Sequence, residues 1–199
     1  GRPLYEYLRR KQVRRRKRLG RKSQRVRIPD RVSIHDRPKA IEKRKQFGHW
    51  EGDSIVGKGH TQGLHTEYER VSSLTRFQYM SRINSEEMVK AASRIFKPMP
   101  PKAHLSLTLD NGGEHTQHRQ LTDTLGIDTY FADPYSSWQR GGNENANMWI
   151  RYYFPKRTDF SKITAAELKD VEREINDRPR KRLYYKTPRE VFTEHLKLL

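Results

Sequence analysis

The chain has 199 residues, 33% hydrophobic and 33% charged, with a net charge of +18 and no cysteine. This amounts to about one ordinary domain with a modest core and a large charged surface, and it excludes disulfides and cysteine-based zinc sites. No apolar run approaches the ~20 residues of a bilayer span, no signal-peptide pattern is visible, and the absence of Met at position 1 points to a trimmed or expressed fragment.

Residues 1–27 hold thirteen Lys and Arg, with Arg14, Arg15, Arg16, Lys17 and Arg18 in one run, against the single acid Glu6. Such an arm repels itself and takes a polyanion as partner. Nucleic acid fits best, because neutralising phosphates releases counterions, and no amphipathic apolar face points to a membrane. Leu4–Leu8 read as the end of a helix from further upstream. Residues 9–46 contain Pro29 and Pro38 without steady periodicity, as in a linker. A basic arm and linker over 1–46 and a folded domain over 47–199 are therefore expected.

Three strand-like segments follow, near 48–57, 63–71 and 76–83, divided by Gly57-Lys58-Gly59 and Ser72-Ser73. A helix opens at Ser85, with Met88, Val89, Ala92, Ile95 and Phe96 on one side and Pro98 closing it. Leu105-Ser106-Leu107-Thr108-Leu109 alternates with period two, and Asp110-Asn111-Gly112-Gly113 turns the chain at its tip. A helix near 114–125 ends at Gly126, and a strand runs from Ile127 to Ala132. Residues 133–142 are a loop, and a helix starting near Asn143 stops at Pro155. Thr164-Ala165-Ala166-Glu167 and Thr187-Pro188-Arg189-Glu190 are capping boxes that start two more helices. The order β-β-β-α-β-α-β-α-α gives an α/β layer with a mixed sheet.

Three acids stand out. Asp53 lies inside the first strand together with Glu51, and such a strand seldom holds two carboxylates unless a cation faces them. Asp110 sits at a strand tip with glycines clearing the space beside it. Glu144 lies in the first turn of a helix, where the dipole favours its ionised form. Singly, each also reads as an ordinary structural residue.

Gly48–Val56, Leu109–Glu114 and above all Tyr130–Asn145, which contains Asp133-Pro134-Tyr135-Ser136-Ser137-Trp138-Gln139-Arg140-Gly141-Gly142-Asn143-Glu144-Asn145, resemble DDE transposases of bacterial insertion sequences. The branch is the IS-thirty family, related to retroviral integrase catalytic cores. The 33 residues between Asp110 and Glu144 match that branch. Asn176–Leu183 and Lys186-Thr187-Pro188 are also similar, so the likeness runs from about residue 26 to 193. It implies a ribonuclease-H-like fold with a five-stranded sheet, and Asp53, Asp110 and Glu144 as catalytic residues and metal ligands. It also implies cleavage at mobile-element ends and strand transfer into target DNA, in a homodimer or higher oligomer in the bacterial cytoplasm, associated with the nucleoid. A stand-alone nuclease or resolvase, and a domesticated DNA-binding protein without catalysis, are the alternatives.

Three acids suit two Mg²⁺ or Mn²⁺ ions, because hard cations prefer carboxylate oxygen. Asn147 and Arg151 share the face of Glu144 on a helix and are expected to touch DNA or to lie on a solvated face. Trp138 either stacks on a base or packs under its loop. Arg140 belongs to the same loop and is expected at DNA. Asn143 either binds phosphate or caps its helix. Arg180, Lys181 and Arg182, beside Arg178 and Lys186, form a second basic patch around Tyr184 and Tyr185. His49 and Glu51 are candidates to tune Asp53, and Glu114 to shadow a metal. The pattern departs from the branch in two ways: no helix-turn-helix module is visible, and Tyr184-Tyr185 stands where Gly is common.

Overall fold

The computed structural model describes Pro3 and residues 27–199, so Leu4–Leu8 and the run Arg14, Arg15, Arg16, Lys17 and Arg18 lie outside the described residues. Five strands form one sheet: β1 (His49–Val56), β2 (Gly63–Glu69), β3 (Thr75–Met80), β4 (Ser106–Leu109) and β5 (Asp128–Phe131). Their spatial order is β3-β2-β1-β4-β5. The first three strands are an antiparallel meander, while β4 and β5 run parallel to β1. A parallel step needs a crossover. α1 (Ser85–Phe96) lies in the connection to β4, and α2 (Arg119–Leu125) in the connection to β5.

Period-two alternation gives each strand two working faces. On one face, Trp50, Leu107, Leu109 and Phe131 pack with Met88, Ala92, Ile95 and Phe96 of α1. On the other, Ile55, Leu64 and Phe77 pack with Ile150 and Phe154 from α3 (Gly141–Tyr153) and its end, and with Ile175 of α4 (Ala165–Asn176). Because both faces are covered, every residue of β2 is buried. The indole of Trp50 donates to the Ala103 carbonyl at 2.8 Å, which satisfies its one polar atom inside the core. α4 and α5 (Pro188–Leu196) open on complete capping boxes at Thr164/Glu167 and Thr187/Glu190, as the sequence predicts.

The N-terminal boundary differs from the expected one at Phe47. Ile28, Ile34 and Ile41 are buried, and Phe131 N–H donates to Val32 O at 2.9 Å beside a parallel bridge from Ser33 to Phe131. Residues 28–43 thus belong to the folded unit, with Val32 and Ser33 running along the β5 edge. Their helical pieces are 3-10 turns of three and five residues, Ile34–Asp36 and Lys39–Lys43. Turns so short cannot build a hydrophobic period that a sequence reading could detect. The helix expected over 114–125 likewise divides into a 3-10 turn, Gly113–His115, and α2.

Candidate active site

Parallel pairing of β1 with β4 sets Glu51 opposite Thr108. Two residues further along each chain, on the same face, come Asp53 and Asp110. Both carboxylates meet the guanidinium of Arg140, whose Nη1 lies 3.8 Å from Asp53 Oδ1 and Nη2 3.4 Å from Asp110 Oδ2. Nη1 also donates to the Gly52 carbonyl at 2.7 Å, and Arg140 is only 8% exposed. The 3-10 turn Ser137–Arg140, directly before α3, delivers it. Arg140, expected at DNA, is thus a buried counter-cation in this structure.

Each acid is held from behind. Asp53 accepts from Ser54 N–H at 2.8 Å and from Asn147 Nδ2 at 2.8 Å. Burial pushes its pKa up, with Asp110 adding to the rise and Arg140 and Ser54 N–H opposing it. Asp110 accepts from Gly112 N–H at 2.9 Å, and its Oδ1 lies 3.1 Å from His115 Nε2. Burial alone would raise the Asp110 carboxyl, but the neighbouring His115 ring, then Arg140 and Gly112 N–H, hold it well below the usual carboxylate range.

Glu144 stands exposed in the first turn of α3. Among the described residues, the tight grouping of possible metal donors is Asp110, Glu114 and His115, with one atom from each within 4.8 Å of the others; neither Asp53 nor Glu144 is in it. Three residues further along α3, Asn147 grips Asp53, so one helix carries both Glu144 and a support of Asp53.

The start of α3 is wedged into the sheet. Glu51 is fully buried, ion-paired to Arg70 at 2.5 Å, and accepts from Asn143 N–H at 3.0 Å. Asn143, expected at phosphate or as a cap, is buried instead: its Nδ2 donates to Glu51 O at 2.6 Å and its Oδ1 accepts from Thr66 Oγ1 at 3.2 Å. Two strands consume its amide. At Gly142 a Cβ would lie 2.6 Å from Tyr68 Cδ1 and 2.9 Å from Glu51 Oε2, so the helix can approach this closely only with glycine there. His49 makes no hydrogen bond to Asp53 and instead shares one of 2.7 Å with Ser106 Oγ.

The remaining candidates divide. Arg151 is tied to Val56 O at 2.7 Å and Pro155 O at 3.3 Å. Trp138 is 73% exposed rather than packed under its loop. Arg180 donates to Ile175 O at 3.2 Å, and Arg182 to Val71 O at 3.1 Å and to Ser73 Oγ. With Lys181, Arg178, Arg44, Trp149 and the start of α3, these two line a cavity of about 460 Å³. Sequence reasoning missed His115 as the neighbour of Asp110. Its signal was local: His115 lies five positions after Asp110, and a 3-10 turn folds the ring back.

No family model matches the chain. It is 39% identical over 194 residues to the transposase for insertion sequence element IS4351 of Bacteroides fragilis, a match spanning 98% of this chain and 59% of that protein. It is 40% identical over 151 residues to transposase InsI for insertion sequence element IS30A of Escherichia coli (strain K12), spanning 76% of this chain and 39% of that one. The chain therefore spans between 39% and 59% of the length of these two relatives. Among solved structures, the catalytic core domain of BIV integrase aligns with a TM-score of 0.57 at 22% identity, over 76% of this chain and 99% of that one. A chain of the simian T-cell lymphotropic virus intasome aligns with a TM-score of 0.60 at 18% identity, over 74% of this chain and 54% of that one. The fold is thus the ribonuclease-H-like fold of the integrase core. Among the described residues, no helix is long and apolar enough to cross a membrane.

Proposed function

The chain is a homologue of the insertion-sequence transposases, and on that premise we propose that it is a transposase catalytic core that cuts DNA at the ends of a mobile element and joins the freed 3′ ends to target DNA. The observation that carries this reading is the convergence of Asp53 and Asp110 on one cation, Asp53 lying in β1 and Asp110 directly after the end of β4, its parallel neighbour.

The donor set fits a hard divalent metal. The groups are carboxylates, and the two that converge already hold a positive charge between them. Asp53, Asp110 and Glu144 would hold two Mg²⁺ or Mn²⁺ ions. When bound, such a pair acidifies the attacking water or 3′-hydroxyl and stabilises the leaving oxygen. The protein's part is positional. Asn147 and Ser54 N–H fix the Asp53 carboxylate, His115 and Gly112 N–H fix that of Asp110, and the Glu51–Asn143 wedge fixes the helix that carries Glu144.

DNA is the proposed partner. Arg14, Arg15, Arg16, Lys17 and Arg18, together with Lys181 and its neighbours Arg180 and Arg182, would give salt-sensitive grip, and the exposed Trp138 would meet a base. Two element ends joined in one event imply a homodimer or higher oligomer, working in the bacterial cytoplasm at the nucleoid.

The test is incubation with labelled element-end DNA and Mg²⁺, using the parent chain, Asp110→Asn and Glu144→Gln. We expect nicking and strand transfer from the parent, and loss of both by at least about 100-fold in each variant while DNA binding persists. Hydrolysis without joining of a pre-nicked end would favour a nuclease. Full activity in both variants would end the proposal.

A further inference from the structure

Tyr184 and Tyr185 are 92% and 72% exposed, and both adopt left-handed backbone conformations, with φ of 53° and 65°. Non-glycine residues avoid that region, and two bulky ones in succession are rare. The turn is nevertheless closed. Arg180 N–H donates to Lys186 O at 3.0 Å, Tyr185 N–H to Arg180 O at 3.0 Å and Lys186 N–H to Leu183 O at 3.0 Å. The fold therefore holds two aromatic rings out in water at a cost in backbone energy. Neither ring packs on the core, so folding gives no return for the strain. Strain of this kind persists where a site needs it.

The turn follows the wall of the 460 Å³ cavity, which Lys181, Arg182, Arg178 and Arg44 line together with Gly141, Gly142 and Asn145 of α3. The Arg178 guanidinium lies 4.5 Å from the centroid of the Trp149 ring in the same wall. Glu144 stands between Gly142 and Asn145 in sequence. Exposed rings on a turn that continues from a row of guanidinium and ammonium groups have the chemistry of a single-strand surface, in which bases stack and phosphates track the cations. We propose that the Tyr184-Tyr185 turn and the adjoining cavity bind unpaired DNA flanking the cleavage point, the rings stacking on bases and Arg178 and Lys181 meeting phosphates. This rests on the transposase reading and extends it to a strand-binding surface.

The test separates the rings from the fold. Tyr184→Gly/Tyr185→Gly relieves the backbone strain, and Tyr184→Phe/Tyr185→Phe keeps the rings. Binding of a labelled single-stranded oligonucleotide and of its duplex is measured by fluorescence anisotropy in metal-free buffer, alongside thermal melting. We expect the glycine pair to melt no lower than the parent while losing about tenfold or more in single-strand affinity, with duplex affinity changing less than twofold, and the phenylalanine pair to bind as the parent does. A folded glycine pair that binds single strands as tightly as the parent would overturn the inference and leave the transposase reading untouched. A parent that binds neither form of DNA would overturn both.

Discussion

The Arg140 guanidinium lies 3.4 Å from the Asp110 carboxylate and reaches Asp53 with its other nitrogen, so one buried side chain neutralises both acids. The two carboxylates differ in proton affinity as a result of their surroundings. Asp110, next to His115, is held low, whereas burial raises Asp53. A divalent cation contacting both acids would compete with the guanidinium for the same carboxylate oxygens.

Arg140→Gln should therefore lower stability in metal-free buffer and enhance the response to metal. Removing one partner of a largely buried ion group costs on the order of 2 kcal/mol, roughly 4–8 °C in a chain of this size. Thermal melting with and without millimolar Mn²⁺ would show a larger metal-dependent rise in the variant than in the parent. Equal rises would mean that the guanidinium and the cation do not compete.

Gly142→Ala should destabilise the protein by roughly 1–3 kcal/mol, because the new methyl would clash with Cε1 and Cδ1 of the Tyr68 ring and lie 2.9 Å from Glu51 Oε2. The start of α3 must then shift and carry Glu144 with it. Cleavage should fall by about 100-fold, the scale of a 1 Å misplacement. Chemical denaturation and a nicking assay read the two effects separately, and a variant with parental activity would show that α3 tolerates displacement.

Asn147→Ala removes the 2.8 Å hydrogen bond to Asp53 Oδ2 and the one from Thr66 Oγ1. Thr66 keeps Asn143 as a partner, so stability should fall by only about 1 kcal/mol. Cleavage should drop about 10- to 100-fold, as for residues that orient a metal ligand. A stability loss with no loss of rate would assign Asn147 to folding alone.

His49 gives the pH prediction. Its ring is buried, and burial first, then the charges of Arg70 and Arg37, push its pKa from 6.5 down to about 4. The unfolded chain takes up this proton below pH 6.5 while the folded protein refuses it until about pH 4. Stability is fully present above pH 6.5 and declines through that window, by up to about 3 kcal/mol at its acid end. Urea unfolding of the parent and of His49→Asn from pH 7.5 to 4 should diverge by that amount, the variant being flatter. Parallel curves would show that His49 carries a proton in the fold.

What the chain displays locally, it displayed in its sequence. The capping boxes at Thr164 and Thr187 are contacts within one turn. The alternation of Leu105, Leu107 and Leu109 marks a strand with a polar face, and the turn after it places Asp110 at a tip. Those features marked the elements in order, and the resemblance carried by the motifs around Asp53, Asp110 and Glu144 pointed to the fold that the structure has. The roles of Arg140, His115 and Asn143 were not legible in this way. Arg140 meets Asp53 and Asp110 only because β1 and β4 pair in parallel in one register and the turn before α3 crosses their ends. Asn143 is buried because Gly142 lets the helix descend onto Glu51 and Thr66. Ile28, Ile34 and Ile41 are buried in a segment that the open edge of β5 captures at Val32 and Ser33. Sequence patterns record which side chains are neighbours along one element; which charges end up sharing a site depends on the register between elements distant in the chain, and that is settled only when the sheet closes and the helices pack.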